Sequence, residues 1–179
     1  MKLVIGFVLC LLVTKSYCQQ SLYGLSITAY NSNQHNMQEF KGKKIWIIIL
    51  PATQTTGDSA FLNRIDSIGL AQKGLMTTIV VPSYEDGYPT GTSGSLTQWY
   101  HAALDTSIII SQPLYTHASS GASQSGLFSW LTHSAQNAHF DFEVNGPGTM
   151  FFIDEQGTLY SVFGTESKWS NRIINHALQ

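Results

Sequence analysis

Apolar and polar positions along the chain change period several times, and each change marks an element. Two short alternating segments come first, around SLYGLSITAY (21–30) and NMQEF (36–40), with the turn-rich NSNQH between them. The turn KGKK then leads into IWIIIL, 45–50, an apolar β-branched run with no polar alternation. Such a run predicts a strand buried on both faces, at the centre of a sheet covered by helices. After PATQTTG, Asp58 or Ser59 is expected to cap a helix whose apolar positions Phe61, Ile65 and Ile68 fall at i, i+4 and i+7. A turn at Lys73-Gly74 precedes a second buried strand, LMTTIVVP, 75–82. Strand, helix and strand so spaced make a βαβ unit with a right-handed crossover.

A polar loop, SYEDGYPTGTSGS (83–95), follows, then the helical pattern of Leu96, Trp99, Tyr100 and Ala103. A third strand is predicted near SIIISQPLY, 107–115, and a short helix over LFSWLTHSA, 127–135. TMFFIDEQGTLYSVFG, 149–164, reads as two strands flanking the turn 154–157, and a closing helix carries Trp169, Ile173 and Ala177 on one face. No repeat or low-complexity linker interrupts this order, which is that of one α/β domain.

Composition agrees with a single core: 179 residues, 43% hydrophobic and 11% charged. The first 18 residues are set apart from it. Lys2 precedes the apolar run Leu3 to Val13, which is too short to cross a bilayer and reads as a secretory signal peptide cleaved after Cys18. The domain is then 19–179, and the protein is expected to be secreted or periplasmic. A lipoprotein anchor at Cys18 is the rival, disfavoured by the bulky, charged KSY before it. Cys10 and Cys18 are the only cysteines, so cleavage leaves neither disulfide nor thiolate. Loss of Lys2 and Lys15 takes the formal charge from −2 to −4. No basic patch exists for nucleic acid or anionic lipid, since Lys41, Lys43 and Lys44 sit in a turn.

In this order the segments resemble the glutathione peroxidase family. SLYGLSITAYNSNQHNMQEFKGKKIWIIILPATQ is similar to the family's opening strand pair, Lys-Gly-Lys turn and central strand. LFSWLT followed by HFDFEVNGPGTMFFIDEQG is similar to its later helix, the segment before its active-site tryptophan, and its final hairpin. The resemblance covers most of the domain and implies a thioredoxin-like, three-layer fold: a central mixed sheet with helices on both faces and an N-terminal β-hairpin. The Gly146-Pro147-Gly148-Thr149 segment leaves open whether another redoxin subfamily is meant, because thiol-disulfide redoxins have similar endings.

The resemblance also implies where catalytic groups would stand. The family's nucleophilic cysteine or selenocysteine maps onto Gln54, its glutamine onto Glu85, and its tryptophan and asparagine onto Gly146 and Pro147. An amide is no peroxide nucleophile, an ionised carboxylate only accepts hydrogen bonds, glycine has no indole and proline has no N–H. No catalytic residue is therefore expected, and no cofactor. The expected function is a non-catalytic homologue that binds a peptide, protein or small molecule at the former active-site face. Two alternatives stand beside it: a residual peroxidase or thiol-redox enzyme responding to oxidative stress through a retained Cys18, and a structural envelope component.

Other chemistry finds less support. His133, His139 and Asp141 match no metal-ligand spacing and suit a solvated helix end, while His101 and His117 are isolated. GASQSG, 121–126, has its second glycine one place too late for a nucleophile elbow, and GTSGS, 91–95, better suits a helix N-cap. No phosphate-binding or dinucleotide glycine fingerprint is present. Tyr84 and Glu85, with Asp86 and Tyr88, are a candidate binding surface for a cation or sugar; a solvated acidic loop is the plainer alternative.

Overall fold

The computed structural model describes residues 20–91 and 94–165. The predicted signal peptide and closing helix lie outside the described residues. Five strands form the main sheet: β3 (Lys44–Leu50), β4 (Met76–Pro82), β5 (Ile109–Ile110), β6 (Met150–Ile153) and β7 (Leu159–Phe163), in the order β5-β4-β3-β6-β7. The β3–β4 and β4–β5 pairs are parallel, whereas β3–β6 and β6–β7 are antiparallel. A separate antiparallel pair, β1 (Ser26–Thr28) and β2 (Gln34–Asn36), precedes the sheet.

The unbroken apolar run of β3 has a direct cause. Ile45, Ile47 and Ile49 enter one core cluster, with Ile79, Val81, Phe128, Trp130 and Phe151. Trp46, Ile48 and Leu50 enter the other, with Leu62, Ile65, Tyr100 and Phe152. Successive side chains of a strand point to opposite faces, so a strand roofed on both sides needs apolar residues at every position. Helices α1 (Thr56–Ala71) and α2 (Gly94–Ala103) supply one roof; α3 (Gly126–Thr132) and the N-terminal segment supply the other.

Several boundaries differ from those predicted. NMQEF is not a strand: Met37–Phe40 is a 3₁₀ turn, capped by Asn36 and Glu39 in a capping box, with Met37 and Phe40 buried three residues apart. The second strand falls instead at Gln34–Asn36, with Gln34 and His35 in the expected turn. Helix α1 is capped by Thr55, and Asp58 is its N3 residue. The third strand shrinks to Ile109–Ile110, flanked by isolated bridges from Ala29 to Ser111 and from Ser83 to Leu114. The helix predicted over 127–135 ends at Thr132, and a single turn, α4 (Ser134–Asn137), follows. Leu75, expected in a strand, is 73% exposed just before it.

Candidate functional site

The parallel strands β3 and β4 end together, and the loops leaving them form one face with the turn that enters β6. Gly148 N–H donates to Ile49 O at 2.9 Å and Thr149 Oγ1 donates to Gly146 O at 2.8 Å, so the 146–149 turn is pinned to the end of β3. Tyr100 Oη donates to Pro51 O at 2.7 Å and ties α2 to the same place. Burial above all, with smaller contributions from Tyr88 and Asp58, pushes the Tyr100 hydroxyl far above its ordinary range, so it stays a donor.

At the β3–α1 junction the helix N-terminus is already complemented. Thr53 and Thr55 hydroxyls donate to Asp58 Oδ2 at 2.6 and 2.7 Å, Thr55 N–H at 3.0 Å, and Asp58 N–H returns to Thr55 Oγ1 at 3.1 Å. Burial raises the Asp58 pKa, but these three donors outweigh it and hold the carboxyl below its usual range. An anion thus sits where the helix dipole favours one. Gln54 is exposed beside it, and its amide reaches away to Ser95 O at 3.4 Å.

The loop after β4 lies beside both other predicted positions, but Glu85 does not point at them. Its carboxylate is turned into the segment 116–120, accepting from Thr116 N–H at 3.1 Å, His117 N–H at 3.3 Å, Ser83 Oγ at 3.1 Å and the Ser120 hydroxyl. Burial raises its pKa, yet the donors from Ser120, Thr116, its own N–H and His117 together leave the group below the ordinary carboxylate value. Four external donors saturate the carboxylate, which makes it a structural tie between two loops.

Asp86 is the residue directed toward the β6 turn. A side chain at Gly146 would place its Cβ 3.8 Å from Asp86 Oδ1 and 3.5 Å from Thr165 Cγ2. Gly146 has φ 123°, where L-residues are strained, so this backbone cannot carry a tryptophan as it stands. Gly146 is buried, and Pro147 is exposed beside it. Asp86 also meets His117 Nε2 at 3.2 Å, while His117 Nδ1 lies 3.7 Å from Glu143. His117, isolated in the sequence, stands in the fold between two carboxylates from separate loops. Its partners lie 31 and 26 positions away, and no local motif marks such a contact.

Tyr84 joins this face through its ring, 5.0 Å from that of Tyr115 and 6.3 Å from that of Tyr88. Tyr115 is 41% exposed, so the pair offers an accessible aromatic edge. His133, His139 and Asp141 take no part. Asp141 accepts from Ser134 N–H and Oγ at 2.7 and 2.6 Å at the start of α4, and His133 Nδ1 lies 2.9 Å from Ser129 O. Among the described residues no group of three His, Cys, Asp or Glu is arranged to hold a metal ion.

Layer order and site position define the protein as an α/β, thioredoxin-like one. Its likeness to solved structures says the same. T. cruzi GPX1 superposes with TM-score 0.64 at 14% identity, covering 89% of this chain and 94% of that one. Apo Trgpx gives 0.63 at 12%, with 89% and 94% covered. MTB DsbF gives 0.58 at 8%, with 89% and 96% covered. These likenesses to glutathione peroxidases and to thiol-disulfide oxidoreductases are likenesses of fold. No protein-family model and no curated protein matches the chain.

Proposed function

We propose that this is a secreted, non-catalytic thioredoxin-fold protein that binds a partner through the face at the carboxyl ends of β3 and β4. One observation carries the reading. The β3–α1 junction, where thioredoxin-fold oxidoreductases do thiol chemistry, presents the Gln54 amide and the capped Asp58 carboxylate, and the chain has no cysteine after Cys18. The partner group that suits this face is cationic. Asp86 and Glu143 flank His117, the Tyr84 and Tyr115 rings stand on the same loops, and aromatic faces attract cations. The described lysines lie at the opposite end of the sheet: Lys41 and Lys43 precede β3, Lys44 begins it and Lys73 precedes β4.

Amide-shift titration with short lysine- or arginine-containing peptides tests this reading. Saturable shifts at 84–88, 115–120 and 143–146, weakened by Tyr115→Ala and absent with aspartate-containing peptides, are expected. Shifts that ignore peptide charge, or no saturable binding at this face, would contradict it.

A further inference from the structure

Building on the cationic partner inferred above, on which this regulation rests, we propose that His117 makes the face pH-dependent: its protonation closes Glu143 onto the imidazole, and a bound cation opposes that protonation.

Two carboxylates face one ring, and they differ in standing. The Asp86 side chain is 8% exposed, and its two oxygens lie 3.2 and 3.3 Å from His117 Nε2. Among the described residues nothing else partners that carboxylate. An ionised carboxylate only accepts, and a buried one left unmatched is costly, so the single N–H of a neutral His117 belongs on Nε2. Nδ1 then turns a lone pair toward Glu143 Oε1, 3.7 Å away. Two acceptors form no bond. The Glu143 side chain is 50% exposed and, among the described residues, has besides this only a long 3.5 Å contact from the Ser119 hydroxyl. While His117 is neutral, Glu143 is therefore the carboxylate free to take a partner's cation.

A proton on Nδ1 reverses this. Imidazolium donates from both nitrogens, and histidine is the side chain whose charge changes between about pH 5 and 8. His117 then links three segments: the loop after β4 through Asp86, its own segment after β5, and the approach to β6 through Glu143. The third carboxylate beside it, Glu85, accepts the His117 backbone N–H at 3.3 Å. Burial raises the Glu85 pKa, but donors from Ser120, Thr116, its own N–H and His117 leave it below the ordinary carboxylate value, so it stays charged across this window. Lysine and arginine also keep their charge there. The group that titrates is His117, and whatever the proton does to the cation, the cation does to the proton.

The test is an amide-shift titration of the full chain with an acetylated, amidated lysine peptide at about pH 5.5 and about pH 7.5, within histidine's range. Binding is expected to be about fivefold tighter at the higher pH, the size of one modest charge contact. At about pH 6.5, near the ordinary histidine midpoint, saturating peptide is expected to move the His117 ring signals toward those of neutral imidazole. His117→Gln, whose amide still donates to Asp86, is expected to lose the difference between the two pH values. Glu143→Gln is expected to weaken binding at the higher pH to the wild-type affinity at the lower one. Equal wild-type affinity at both pH values, a pH difference retained by His117→Gln, or His117 signals unmoved by peptide would each overturn the switch and leave the binding face standing. No saturable binding at either pH would overturn the face and the switch together.

Discussion

The Glu85 carboxylate accepts the backbone N–H of Thr116 at 3.1 Å across 31 positions of sequence. With His117 N–H, Ser83 and Ser120 on the same group, this contact joins the loop after β4 to the segment after β5. A carboxylate is required because every partner donates. Replacing it by the amide found in the glutathione peroxidase pattern, Glu85→Gln, is expected to destabilise the fold by about 1–3 kcal/mol, since an NH₂ would then face donors. Urea denaturation checks this, and an unchanged midpoint would show that the tie is dispensable.

The same group gives a pH dependence. Glu85 has its folded pKa held below the unfolded value of about 4.5, so the unfolded chain binds the proton first. Its stabilisation is fully present above that value and is lost as pH falls toward the depressed folded pKa. Asp58 behaves in the same sense. Stability measured by urea between pH 3 and 6, on the order of the carboxylate range, is therefore expected to fall on acidification, and to fall less steeply in Glu85→Gln.

Asp58→Ala removes the acceptor of Thr53 and Thr55 at the start of α1. A loss of about 1 kcal/mol is expected, at the size of a helix cap, with fraying confined to the first turn. Hydrogen exchange locates it: faster exchange at the first turn with β3 unchanged supports the assignment, and uniform acceleration would contradict it.

Gly146→Ala tests the turn entering β6. At φ 123° an L-residue is strained whatever the space around it, and the added methyl would approach Thr165 and Asp86. A cost of about 1–3 kcal/mol is expected. Thermal unfolding of the variant with the wild-type midpoint would show that the turn adopts another backbone.

The strands at the centre of the sheet were legible because burial on both faces leaves an unmistakable pattern, as in IWIIIL. The edge was not. SIIISQPLY is apolar enough for a long strand, but only Ile109 and Ile110 pair continuously with β4. NMQEF misled for a related reason: two buried residues three apart fit a 3₁₀ turn better than alternation, and the signal was the Asn36–Glu39 capping box. The cap expected at Asp58 or Ser59 lies instead at Thr55, with Asp58 as its capping-box partner, an arrangement that the Thr-x-x-Asp spacing does contain. At the site, the position of the β3–α1 junction could be read from sequence order. The Glu85 ties and the Asp86–His117–Glu143 cluster could not, because their members meet only through sheet order.

Peroxide chemistry tests the central claim most directly. Consumption of hydrogen peroxide with a thiol reductant should be measured on the purified chain and on its Cys10→Ser, Cys18→Ser double variant. Both are expected to match reductant alone. Turnover above that rate in the double variant would reveal catalysis without sulfur, and turnover confined to the wild type would assign it to a retained cysteine; either result would contradict a non-catalytic binding protein.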